Sequence, residues 1–214
     1  MIALVITQGP ARARRALARL AGRADLILAA DGGARLARAA GIVPDLILGD
    51  LDSLDGTVAR WADARGIPRR RYPRVKDATD GELALAEALR RGAREVWIYG
   101  VVAGRLDQLL ANVLLLFAAR RRRVHARLTD GRTTARLAGR FAELHGRPGD
   151  LVSLIPVSAA VRGIMTAGLR FPLRGGALVR GSTRGISNEL TADRATIRVG
   201  SGDLLIVHTP AGAR

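Results

Sequence analysis

Pro44-Asp45-Leu46-Ile47-Leu48-Gly49-Asp50-Leu51-Asp52-Ser53-Leu54 carries a short apolar run into a glycine and then presents two carboxylates two residues apart. A second acidic run, Lys76-Asp77-Ala78-Thr79-Asp80-Gly81-Glu82, follows within one βα unit. The chain sets 35 basic against 19 acidic residues, a formal net charge of +16, so acids gathered at strand ends are not there for solubility. They read as a cation site, and a cation site beside glycine turns handles phosphate.

Outward from this stretch, the pattern repeats through the first 130 residues. Apolar runs at Ile2–Ile6, Asp25–Ala30, Asp45–Leu48, Glu95–Tyr99 and Val124–Thr129 read as strands. Helical periodicity lies between them at Ala11–Ala21, from Gly33 to about Ala40, at Thr57–Arg65, Thr79–Arg91 and Asp107–Ala119. Thr79 with Glu82 three residues later forms a capping box. Short buried strands alternating with helices predict a parallel sheet covered on both faces. After Asp130-Gly131 the pattern changes to short β-rich pieces at Thr133–Leu137, Leu151–Ile155, Gly163–Thr166, Ala177–Val179, Ala195–Val199 and Asp203–Val207, separated by glycine turns. The expected fold class is therefore α/β: a Rossmann-like parallel-sheet domain over residues 1–131, then a small all-β sandwich over 132–214.

Composition narrows the chemistry. Hydrophobic residues make up 48% of the 214, enough for a core, but aromatics only 3%, so that core is aliphatic. With no cysteine, disulfides, thiolate catalysis and cysteine-ligated zinc are excluded. The three histidines, His125, His145 and His208, show no catalytic spacing. Lys76 is the only lysine; every other basic residue is arginine, spread along the whole length. Such spreading, with so few rings to stack on bases, reads as a solvated arginine-rich surface and not as a nucleic-acid site. The apolar N-terminus Met1–Ile6 has no basic flank and is too short to span a bilayer, and no other apolar stretch reaches about 18 residues. A cytoplasmic protein with no membrane partner is expected.

In an open α/β sheet, ligands bind beyond the carboxyl ends of the strands. Gln8-Gly9, Asp31-Gly32-Gly33, Gly49-Asp50-Leu51-Asp52 and the segment from Gly100 to Asp107 each fall at such an end. Asp50 and Asp52 repel one another unless a cation lies between them, and Mg²⁺ takes carboxylate oxygens together with water and phosphate. Asp80 is either a third ligand or a first-turn acid favoured by the helix dipole. Arg105 suits bidentate phosphate binding or a surface pair with Asp107.

These motifs together resemble the thiamine pyrophosphokinase family. The matching segments are Asp31-Gly32-Gly33-Ala34, Pro44-Asp45 through Gly49-Asp50-Leu51-Asp52-Ser53, Lys76-Asp77-Ala78-Thr79-Asp80, and Gly104-Arg105-Leu106-Asp107-Gln108 with Asn112. Val152-Ser153-Leu154-Ile155-Pro156, Thr166-Ala167-Gly168-Leu169 and Ile186-Ser187-Asn188 continue the match to the C-terminal half. The resemblance implies a homodimer and a Mg²⁺-dependent transfer of the pyrophosphoryl group of ATP to the thiamine hydroxyl, giving AMP and thiamine diphosphate. It implies that Asp50, Asp52 and Asp80 are metal and catalytic acids, with Arg105 catalytic beside them. Nucleotide contacts would fall to Gly9, Asp31, Gly32, Asp77, Asp107, Gln108 and Asn112. Thiamine would meet Ser187 and Asn188, with the active site between subunits. Gly81, Phe171 and Val101-Val102-Ala103 depart from the family's usual residues.

Three rival readings have their own discriminators. A pyrophosphokinase acting on another alcohol, such as a hydroxymethyl-pterin, would ignore thiamine. A haloacid-dehalogenase-type phosphatase, suggested by Asp50-Leu51-Asp52 after an apolar strand, conflicts with Leu54 and with the motif's distance from the N-terminus. A nucleic-acid binder, motivated by the net charge, would show steeply salt-dependent affinity.

Overall fold

A computed structural model describes residues 1–9, 14–52, 54–100 and 105–213. It divides into two compact units, Met1–Gly131 and Arg132–Arg214.

In the first unit, strands β1 (Ile2–Ile6), β2 (Leu26–Ala30), β3 (Leu46–Gly49), β4 (Arg69–Arg71), β5 (Glu95–Tyr99) and β6 (His125–Thr129) lie parallel in the order β6-β5-β1-β2-β3-β4. Helices α1 (Arg14–Ala21), α2 (Gly33–Ala39), α3 (Gly56–Ala64), α4 (Asp80–Arg90) and α5 (Leu106–Arg121) connect them. Every residue of β3 is buried, as a strand covered on both faces requires. Leu4, Ile6, Leu17, Leu36 and Trp97 form one apolar cluster and Ala29, Ala34, Ile47, Val58 and Ala62 another. Strand order runs outward from β1 in one direction through β2, β3 and β4, then returns to β5 on its other side. That reversal is a topological switch point, and the carboxyl ends of β1 and β5 flank it.

Helix starts follow local chemistry. Asp55 accepts from the Thr57 and Val58 amides, and Thr79 Oγ1 accepts from the Glu82 amide at 3.1 Å. The expected start of the first helix at Ala11 falls outside the described residues, which enter it at Arg14. Strand β4 escapes the apolar pattern because it is Arg69-Arg70-Arg71, exposed at the sheet edge. Charge on an edge strand blocks further pairing. Glu87 of α4, only 3% exposed, accepts from Arg70, Arg90 and Arg91 at 2.8 Å and so ties that edge strand to a helix.

The second unit contains two antiparallel arrays. One has the order β12 (Asn188–Glu189), β9 (Leu151–Pro156), β14 (Leu204–Thr209), β7 (Thr134–Leu137). The other has β11 (Arg174–Val179), β10 (Ala160–Ala167), β13 (Arg194–Arg198), β8 (Phe141–His145). Alternate residues from both, among them Leu144, Leu154, Ile164, Leu178, Ile197 and Ile206, share one core. Buried Asp150 accepts from the Arg147 and Ala211 amides and pairs with His208 Nε2 at 3.0 Å, a link that sequence spacing could not reveal. No helix among the described residues is long and apolar enough to cross a membrane.

Candidate active site

The carboxyl ends of β1, β2, β3 and β5 meet through glycine. A Cβ on Gly9 would lie 1.6 Å from the Gly100 carbonyl oxygen, and one on Gly33 would lie 2.0 Å from the Ile6 carbonyl oxygen. These backbones touch, leaving no room for a side chain. A Cβ on Gly32 would lie 3.3 Å from the Gln8 side chain, so the turns after β1 and β2 run close together.

The acids stand on this platform. Asp31 and Leu51 both adopt the left-handed region, with φ of 46° and 65°, and such backbone strain concentrates at functional sites. A Cβ on Gly49 would meet the Asp31 Cβ at 3.1 Å and Asp80 Oδ1 at 3.2 Å, so these two carboxyl-bearing residues converge at the end of β3. The Asp52 amide donates to Asp50 Oδ1 at 3.0 Å, closing a tight turn around Leu51. Asp52 itself is half-exposed and lies 3.5 Å from the Arg71 guanidinium. Among the three predicted metal acids, Asp50 and Asp80 share their field with Asp31, and Asp52 also lies at ion-pair distance from Arg71 of β4. Burial pushes the Asp80 carboxyl above its ordinary value; Lys76 pulls it back, and the charges of Asp31 and Asp50 raise it again.

Asp80 Oδ1 is shielded from solvent without a well-formed hydrogen bond, although Lys76 Nζ stands 3.1 Å away at ion-pair distance. Among the described residues, no three acids or histidines form a finished metal cage. Hard carboxylate oxygens with an open set of positions nevertheless suit a cation that keeps water and phosphate ligands of its own.

Arg105 donates through Nε to Asp107 Oδ1 at 3.1 Å and through its second nitrogen to the other carboxylate oxygen, both residues well exposed. The Arg105–Asp107 pair that the spacing allows is present. Buried Asn112 approaches the α4 backbone, with its Oδ1 3.2 Å from where a Gly81 Cβ would lie. That contact, with Leu115 and Thr7 close behind, is why a glycine follows Asp80. Gln108 sits half-buried in the first turns of α5, and Asp77 lies in the turn before α4. Ser53, Val101-Val102-Ala103 and Gly104 lie outside the described residues.

In the second unit, the Ser187 amide donates to Ser153 Oγ at 3.1 Å with Ser187 at φ 57°. Asn188 is buried. Its Oδ1 accepts from the Phe171 and Glu189 amides and its Nδ2 donates to the Phe171 carbonyl, so it positions a neighbouring aromatic. Sequence reading assigned no role to Lys76 or Arg71; the signals were a lone lysine in an arginine-only chain and an arginine strand ending at the site.

A glycine-bonded switch point carrying acids defines the class: an open α/β sheet with its ligand site at the carboxyl edge. Residues 17–128 match the thiamin pyrophosphokinase catalytic domain and residues 142–204 the thiamin pyrophosphokinase vitamin B1 binding domain. Thiamine pyrophosphokinase of Bacillus subtilis (strain 168) is 30% identical over 172 residues, covering 79% of this chain and 80% of that protein. A crystal structure of thiamine pyrophosphokinase from Bacillus subtilis superimposes with a TM-score of 0.88 at 27% identity, covering 98% and 99% of the two chains. One from Geobacillus thermodenitrificans gives 0.82 at 29% identity, covering 98% and 97%. The chain belongs to the thiamin pyrophosphokinase family. It is an enzyme of that kind, a transferase that pyrophosphorylates thiamine.

Proposed function

We propose that the chain transfers the pyrophosphoryl group of ATP to the thiamine hydroxyl, releasing AMP, as a Mg²⁺-dependent cytoplasmic homodimer whose active site lies between subunits. The observation that carries this reading is the shielded Asp80 oxygen beside Asp31 and Asp50 on a glycine-bonded sheet edge. The vitamin B1 domain match supports thiamine, and nothing supports a hydroxymethyl-pterin in its place.

Asp50, Asp52 and Asp80 would hold the metal, with Asp31 adding to the negative field. Magnesium bound there supplies neutralisation of phosphate charge. The close backbones at Gly9 and Gly32, with Asp31, Asp77, Asp107, Gln108 and Asn112, would seat the nucleotide. Arg105, turned from Asp107, would meet charge developing on the transferred group. Ser187 and the aromatic held by Asn188 would orient thiamine. Its hydroxyl attacks the β-phosphorus in line, the bond to the α-phosphate oxygen breaks, and AMP leaves. Positioning and electrostatics carry the rate.

The test is AMP formation from ATP and Mg²⁺ with and without thiamine, with sedimentation to read the oligomer. ATP turnover indifferent to thiamine would overturn the reading. A monomer with full activity would overturn the shared site.

A further inference from the structure

One helix carries a buried acid, Glu87, and a half-buried one, Asp80, and the chain treats them oppositely. Glu87 is clamped by three arginines, each at 2.8 Å. Asp80, at the head of the same helix, faces the only lysine of the protein. Arginine forks onto a carboxylate and holds it, whereas lysine is a compact charge on a flexible stem. The Lys76 side chain is 15% exposed, donates to the Pro73 carbonyl at 3.1 Å, and stands 3.1 Å from Asp80 Oδ1 without making a well-formed hydrogen bond to it. Its ammonium is thus shared between a neutral acceptor in its own turn and the acid, a single contact where Glu87 has three arginines. Asp31 approaches the same point beside Gly49 as this oxygen, so a positive charge here lowers repulsion whenever no other cation is present.

We propose that Lys76 is an exchangeable counter-ion: it neutralises Asp80 in the empty site, yields that carboxylate to the divalent cation accompanying ATP, and then turns to a phosphate oxygen of the nucleotide. The proposal rests on the metal and nucleotide reading above. It explains why lysine survives at one position in a chain that elsewhere uses arginine. An arginine at 76 would grip Asp80 too firmly to let go.

The experiment titrates Mn²⁺ into nucleotide-free protein, reading free Mn²⁺ by electron paramagnetic resonance, and then titrates α,β-methylene ATP with Mn²⁺ by calorimetry. Lys76→Gln should bind Mn²⁺ about fivefold more tightly, the worth of one released ion pair, and the nucleotide more weakly. Lys76→Arg should bind Mn²⁺ less tightly than wild type. A merely structural lysine predicts a lowered melting temperature with Mn²⁺ affinity unchanged or weakened in Lys76→Gln, and that result overturns the proposal. Asp80→Asn separates the two levels: Mn²⁺ binding that survives it overturns the metal reading itself, whereas lost binding there with an indifferent Lys76→Gln overturns only the counter-ion role.

Discussion

Asn188 pairs with Phe171 as one strand pairs with another: the Phe171 amide donates to Asn188 Oδ1 at 3.0 Å and Asn188 Nδ2 donates to the Phe171 carbonyl at 2.8 Å. Asn188 is 8% exposed and Phe171 64%, so a buried amide holds up an exposed ring. Asn188→Ala strands a backbone donor and acceptor and should cost about 2 kcal/mol in urea unfolding. It should also raise the KM for thiamine more than that for ATP. Equal effects on both substrates would remove Phe171 from the thiamine side of the reaction.

Charge, not shape, is the property tested at the acids. Asp50→Asn keeps the Oδ1 that accepts the Asp52 amide while removing the charge, and should lower kcat about 10²-fold or more. Asp80→Asn should do the same. Asp52→Asn is expected to match them if Asp52 leaves Arg71 when the site is loaded; near-normal AMP release from a folded variant would assign it to the rim.

Low pH should loosen the α4–β4 edge. Hydrogen bonds from Arg90, then Arg91 and Arg70, hold the Glu87 carboxyl far below its usual range against the opposing effect of burial. A depressed folded value means that the stabilisation is complete above the unfolded value near 4.5 and is lost as pH falls below it. Glu87→Gln should destabilise by about 1–3 kcal/mol at pH 7, less than a fully enclosed pair because its arginines remain partly solvated. The gap between variant and wild type should narrow at pH 3, read from urea midpoints; a gap that widens contradicts this.

Two glycines separate contact from conformation. Gly33→Ala drives a methyl into the Ile6 carbonyl and should cost about 3 kcal/mol or fail to fold. Gly22→Ala meets nothing closer than 3.6 Å and should change the melting temperature little. Calorimetry of the pair checks both.

Much of this was legible before any coordinates. The alternation of apolar strands and helices, the β-rich change after Gly131 and the acids after β2 and β3 are all local patterns. Phe141–His145 also alternates, and its strand was there to be read. Arg69–Arg71 was not, because an edge strand has no buried face to leave an apolar trace.

The sequence by itself determined the layer architecture and which residue types could do chemistry, because periodicity and glycine placement are properties of neighbours along the chain. Only the tertiary structure decided who meets whom. It set Asp31 against Asp80, gave Asp52 to Arg71, left Asp80 to a single lysine and turned Asn188 inward to Phe171. Those pairings depend on strand order and on how closely glycine lets backbones approach, and neither is written in the spacing of the residues involved.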